Sequence, residues 1–169
     1  MPGTPIPPSV LNEVQRQLNH ELAAAHSYQA LAIWCEGECL TGFASFFTKQ
    51  AAEERIHAEK FIKYLHDRGE VAKLAALPPP KTDFGSIVEI AKEAQLMEQA
   101  NTAGIVKAYE EALSSRDYPS QVLLQWFIAE QVEEEAWAQE MIDRTLRANC
   151  AGGLTRLDHH IEKYLTAGA

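Results

Sequence analysis

The chain has 169 residues, 46% of them hydrophobic and 23% charged, with 24 acidic side chains against 15 lysines and arginines for a formal charge of −9. That length and balance fit one globular domain with its own core and exclude a disordered chain. The acidic excess argues against nucleic acid or an anionic membrane as a partner and favours cations.

Four long helices and a short fifth are predicted. The first runs from about Ser9 to Glu36, behind Pro7 and Pro8, with Ser9 as its expected N-cap and Gly37 at its end. The second covers about Leu40 to Arg68 and stops at Gly69. Glu70 to Asp83 contains Pro78-Pro79-Pro80 and is not helical. The third begins near Ser86 and ends around Ser115. Arg116-Asp117-Tyr118-Pro119 reads as a turn, with Pro119 in the first turn of a fourth helix. That helix is expected to reach about Asn149 and to break at Gly152-Gly153. The last helix, about 154–165, carries Leu154, Leu157, Ile161 and Tyr164 at three- and four-residue spacing.

The connections set the topology. Short turns near 37–40 and 116–119 make helices one and two, and three and four, antiparallel neighbours. The fourteen residues from Glu70 to Asp83, extended at roughly 3.1 Å each, cover about 43 Å. A 28-residue helix is about 42 Å long. The linker therefore traverses the bundle and sets helix three parallel to helix two. The expectation is an all-α single domain over 1–169: a four-helix bundle at about 9–149 with one long crossover, plus a short C-terminal helix. Three cysteines are too few for a disulfide scaffold, and no apolar run spans a bilayer, Val122 to Ala129 being short and carrying Gln125. Met1-Pro2-Gly3-Thr4-Pro5 lacks the basic residues and apolar run of a signal peptide, so a cytoplasmic protein with no membrane partner is expected.

Polar residues fall where the core should be. The first helix places Leu11, Val14, Leu18, Glu21, Ala25, Tyr28 and Ala32 on one stripe, the face turned into the bundle. The second reads Phe47, Gln50, Glu54, His57, Phe61 and Tyr64. The third reads Ile87, Ala91, Ala94, Glu98, Asn101, Ile105 and Ala108, and the fourth Leu124, Phe127, Gln131, Glu134, Ala138 and Met141. Two like charges about 4 Å apart repel by roughly 4 kcal/mol even at an effective dielectric near 20. One buried glutamate is accommodated by protonation or by an amide. One on each of four helices, with no lysine or arginine on any stripe, calls for metal ions.

Glu21, Glu54, Glu98 and Glu134 supply four negative charges, which two divalent ions neutralise. Glu54-Arg55-Ile56-His57 sets a carboxylate and an imidazole three residues apart, so both meet one ion. Mixed carboxylate and imidazole ligation suits iron or manganese better than calcium, and zinc less well without thiolates. Tyr28, one heptad after Glu21, is either an ordinary core tyrosine or a donor and one-electron source beside the ions. Glu53, Glu130 and Glu133, one position off the stripes, are either solvated surface or a third, weaker ion position. Other motifs fail. His20-Glu21 with His26 does not have HExxH spacing, Cys35 and Cys39 lack a second pair for zinc, and no glycine-rich phosphate loop is present.

Asn19-His20-Glu21-Leu22, Tyr28, Trp34-Cys35, Ala52-Glu53-Glu54-Arg55-Ile56-His57, Asp117-Tyr118-Pro119 and Glu130-Gln131-Val132-Glu133-Glu134-Glu135 resemble, in this order, the bacterial non-haem ferritins. The resemblance covers nearly the whole chain. It implies a ferritin-like fold and an iron-storage ferroxidase, a homo-oligomeric shell of twenty-four subunits that oxidises Fe(II) with O2 or H2O2 and stores ferric mineral. Carried over by position, Glu21, Glu54 and His57 bind the first iron. Glu54 bridges to a second, bound also by Glu98 and Glu134. Gln131 is the amide that adjusts the site near the first iron, Tyr28 the tyrosine beside the centre, and Glu53, Glu130 and Glu133, with Glu134 in contact, the third iron position. Arg55 stands where the related bacterioferritins carry their haem-ligating methionine, and the fourth helix offers Glu134 without their second carboxylate–histidine pair, so no haem is expected. Gln121 and Leu124 stand where animal ferritins line a three-fold channel with acids. The competing reading is a di-iron carboxylate oxidase or peroxidase without mineral storage.

Overall fold

The computed structural model describes residues 5–148 and 150–166, and within them five helices and no strand: α1 (Pro8–Gly37), α2 (Thr41–Asp67), α3 (Ile87–Ser114), α4 (Tyr118–Arg147) and α5 (Ala151–Thr166). The helix ends differ from expectation in two places. Pro7 takes the N-cap position of α1 and Pro8 opens the helix, where a missing N–H removes no intrahelical bond, so Ser9 lies inside the first turn. α1 closes on Gly37, the expected end, and the left-handed residue of the turn that follows is Cys39, with φ 59°. Gly152-Gly153 does not end α4, which stops at Arg147; both glycines sit in the first turn of α5. Glycine weakens a helix through backbone entropy chiefly in its interior, so the first turn tolerates it. Gly153 N–H is met by the Cys150 sulfur at 3.4 Å. Asn149, the expected end of the fourth helix, lies outside the described residues.

α3 begins beside Ser86, as expected, and Ser86 caps it, its Oγ accepting Glu89 N–H at 3.3 Å while the Glu89 carboxylate accepts Gly85 N–H at 2.8 Å. The crossover before it runs along α1. Gln15 donates to the Val71 carbonyl at 2.8 Å and accepts Lys73 N–H at 2.9 Å. One turn further on, Asn19 donates to the Lys73 carbonyl at 2.9 Å and accepts Ala75 N–H at 2.7 Å. Near the other end of α1, Trp34 Nε1 donates to the Phe84 carbonyl at 3.2 Å. Side-chain amides thus satisfy an extended backbone that has no strand to pair with. The linker climbs α1 from Gln15 to Trp34, leaving α3 parallel to α2. α1 packs on α2 and α3, α3 on α4, and α5 on α2 and α4.

Where α5 meets α2, Asp158 Oδ1 accepts Phe43 N–H at 3.0 Å, supplying from a distance the cap that Leu40 lacks. A Cβ at Gly42 would lie 1.9 Å from the Asp158 carbonyl oxygen, so only glycine admits this approach.

The core forms two apolar clusters. One gathers Tyr28, Leu31, Phe43, Phe46, Phe47 and Met141 with Leu157 and Ile161 of α5. The other gathers Val10, Val14, Leu18, Phe61, Ile105, Leu124 and Phe127. Between them lies the polar layer: Glu21, Gln50, Glu54, His57, Glu98, Asn101, Gln131 and Glu134 are each 8% exposed or less. At the far end of the bundle a second buried polar group joins α2 to the α3–α4 turn. There Arg68 pairs with Asp117 at 3.0 Å beside Tyr64 and Ser120, and of these only Tyr64 lies on a stripe.

Candidate metal centre

Each of α1 to α4 delivers its glutamate at mid-length because the flanking stripe residues are apolar and must face inward, carrying the polar residue with them. Glu21, Glu54 and His57 converge most closely: each offers a ligand atom, and these lie within 4.8 Å of one another. His57 Nδ1 stands 3.4 Å from Glu54 Oε2. Both atoms are buried and neither has a hydrogen bond. The imidazole is walled by Trp126 and Phe127, each with its ring centroid 5.6 Å away. A buried acceptor and a buried ring nitrogen without partners, facing a second carboxyl, form an arrangement that a divalent cation satisfies.

The other three carboxyls are held by neutral donors. Glu21 accepts from Gln17 at 2.8 Å on one oxygen and from Asn101 at 3.2 Å on the other. Glu98 accepts the Tyr28 hydroxyl on Oε1 and Gln131 Nε2 at 3.1 Å on Oε2. Glu134 takes Gln50 at 2.9 Å and the Trp137 indole N–H on the same oxygen. Tyr28 is fully buried, 6.0 Å from Phe47 and 6.2 Å from Trp137 between ring centroids. It is at once a core tyrosine and a donor to the layer.

Burial pushes all four carboxyls above the usual carboxylate range. Glu54 and Glu134 reach about 8, with repulsion from Glu98 and Glu53 adding to the desolvation of each. Glu21 is raised well above its ordinary value by burial and then by Glu54, and Glu98 by burial and then, against its donors, by Glu21. Burial, reinforced by Glu98, also raises the Tyr28 hydroxyl, so it remains a donor at neutral pH. Glu54 and Glu134 therefore keep their protons at neutral pH when no cation is bound.

Gln131, expected beside the first iron, bonds Glu98 directly and reaches Glu21 through Asn101, which donates to its Oε1 at 3.4 Å. Glu53 and Glu133 are exposed and Glu130 is half-buried; among the described residues these three do not gather into a group of converging ligand atoms. Glu53 nonetheless acts electrostatically on both Glu54 and Glu134. Gln17 and Trp137 are participants that the stripes did not single out. The one signal for either is its spacing of about a turn from a stripe glutamate, Gln17 four residues before Glu21 and Trp137 three after Glu134, since both lie beside the stripes rather than on them.

A family model described as a ferritin-like domain matches residues 11–148. The bacterial non-heme ferritin of Staphylococcus saprophyticus is 42% identical over 134 residues, spanning 79% of this chain and 80% of its own length. That of Staphylococcus aureus strain MRSA252 is 42% identical over 139 residues, 82% of this chain and 84% of its own. Among solved structures, an open-pore ferritin of the archaeon Archaeoglobus fulgidus superposes with a TM-score of 0.89 at 29% identity, covering 92% of this chain and 96% of that one. A closed form engineered from the same ferritin gives 0.89 at 30% identity, covering 95% and 96%. With this fold, this polar layer and these relatives, the chain belongs to the ferritin family.

Proposed function

We propose that the chain is an iron-storage ferritin whose polar layer is a ferroxidase centre, and that twenty-four copies close into a hollow cytoplasmic shell around ferric mineral. The observation that carries this reading is the bare pair in the middle of the layer, Glu54 Oε2 and His57 Nδ1, buried and unbonded opposite Glu21. Iron is both substrate and cargo. Glu21, Glu54 and His57 receive one Fe(II). Glu98 and Glu134 receive the second, with Glu54 shared because no amide, phenol or indole fixes it. Protons held on Glu54 and Glu134 leave as the cations arrive. Each of two Fe(II) yields one electron, the pair with two protons reduces O2 to H2O2 or H2O2 to water, and hard anionic oxygens favour the Fe(III) that results. Gln131 holds Glu98 throughout. Glu53, Glu130 and Glu133, with Glu134 beside them, form a weaker third position through which oxidised iron passes on.

The test is aerobic loading of the iron-free protein with a large excess of Fe(II), followed by size-exclusion chromatography with iron and protein detection. Storage predicts iron far above three per chain, eluting with a very large assembly. Iron that stops near two per chain on a small oligomer overturns storage and favours a di-iron oxidase or peroxidase.

A further inference from the structure

Gln17 is fully buried on α1, one turn before Glu21. Its Nε2 donates to Glu21 Oε1 at 2.8 Å and, closely, to Asn101 Oδ1. Asn101 Nδ2 donates to Glu21 Oε2 at 3.2 Å and to Gln131 Oε1 at 3.4 Å. Gln131 Nε2 in turn donates to Glu98 Oε2 at 3.1 Å and to Thr102 Oγ1 at 3.1 Å. Three amides from α1, α3 and α4 thus form one chain that begins on Glu21 and ends on Glu98. The carboxylates at its ends accept, so each amide must turn its NH2 toward them, and the three orientations are mutually consistent. A buried polar chain is tolerated only when each member is satisfied in this way.

Gly104 on α3 seats the start of the chain. A Cβ there would lie 2.7 Å from Gln17 Oε1 and 3.0 Å from an Arg16 guanidinium nitrogen, and Arg16 also donates to the Gly104 carbonyl at 2.7 Å. The missing side chain is the space in which the Gln17 amide sits.

We propose that this amide chain couples the two ion positions: Gln17 and Asn101 are positioning residues that hold Glu21 in register with Glu98, so that filling one position orders the other. Coupling requires a physical link with consistent geometry, and the amides supply it between one ligand of each position. The inference rests on the dinuclear reading given above.

Co(II) serves as a probe that the protein does not oxidise, followed by visible absorption and calorimetry on the full-length protein. The parent is expected to take two Co(II) per chain in overlapping steps. Asn101→Leu removes the middle of the chain and keeps roughly the volume; it is expected to separate the steps and weaken the second by about tenfold or more. Gly104→Ala, which pushes Gln17 away without deleting a polar atom, is expected to act in the same direction and to add nothing further in Gln17→Leu. Ser120→Ala, which breaks a buried hydrogen bond at the far end of the bundle, controls for general destabilisation and is expected to leave both steps in place. Asn101→Leu titrations that superimpose on the parent overturn the proposal. So do fully additive Gly104→Ala and Gln17→Leu effects, or equal displacement of the steps by Ser120→Ala. A parent that binds no Co(II) in the layer overturns the dinuclear reading itself.

Discussion

At the scale of single residues, Glu54 is the carboxyl of the layer with a buried oxygen that folding leaves without a hydrogen bond. It is 2% exposed, its Oε2 has no hydrogen bond, and its proton is retained to about pH 8. Glu54→Gln keeps the size and removes the ionisable group. At pH 8 its iron-free form is expected to melt no lower than the parent, since a buried partly charged group has gone. Its initial Fe(II) oxidation is expected to fall on the order of 100-fold or more. His57→Ala should lose oxidation to a similar degree but melt lower, because it empties the space between Trp126 and Phe127. Stopped-flow oxidation and thermal melts on the same samples check both. Native oxidation rates in either variant would reject the site assignment. The four glutamates were legible because a helical stripe that is otherwise apolar makes each polar exception conspicuous. Gln17 and Trp137 were not, for a geometric reason. A stripe chosen at alternating three- and four-residue steps follows one narrow seam, whereas a helix in a bundle buries a wider arc that takes in residues beside the seam. Gln17 adjoins Leu18, and Trp137 adjoins Ala138, each just off the chosen line.

At the scale of elements, proline and length told most of the story. Three consecutive prolines forced an extended crossover, and its reach matched the bundle. The Gln15 and Asn19 amides that pin it to α1 gave no sign in the sequence, because they bind backbone rather than a recognisable partner. Glycine misled at Gly152-Gly153, where a pair that usually ends a helix instead begins one. Gly42 carried a message that only the packing reveals: α5 approaches α2 so closely that a methyl group there meets the Asp158 backbone. Gly42→Ala must displace one helix from the other, and overpacking of this kind costs about 1–3 kcal/mol. The cap on Phe43 N–H would be lost with it. Chemical denaturation is expected to show that loss, and trypsin to cut faster after Arg147 and Arg156 as α5 comes away. Cleavage at the parent rate would mean that α5 is held by something other than this contact.

For the molecule as a whole, the polar layer ties stability to pH in a definite direction. Chiefly through burial, Glu54 and Glu134 keep their protons to about 8, against 4.5 for the ordinary carboxyl, and Glu21 and Glu98 are raised with them. Between those limits the folded iron-free protein retains protons that the unfolded chain has already released. Unfolding therefore releases protons, and stability falls as pH rises from about 4.5 toward 8. The lowered carboxyls work the other way in a different window. Glu162, held down by Lys49 and Ser45, is stabilising above 4.5 and loses that contribution only as the solution becomes more acidic. Melting temperatures of the iron-free protein should accordingly decline across pH 5 to 8, and the double variant Glu54→Gln, Glu134→Gln should flatten the decline. Bound divalent cation reverses the trend, because it must displace those protons and so binds more tightly as pH rises. The Co(II)-loaded protein should gain its largest melting-point increment near pH 8, with protons released into a weakly buffered solution on binding. A flat profile for the iron-free parent would mean that the four carboxyls are already ionised and compensated without metal. The argument for cations in this bundle would then lose its electrostatic basis.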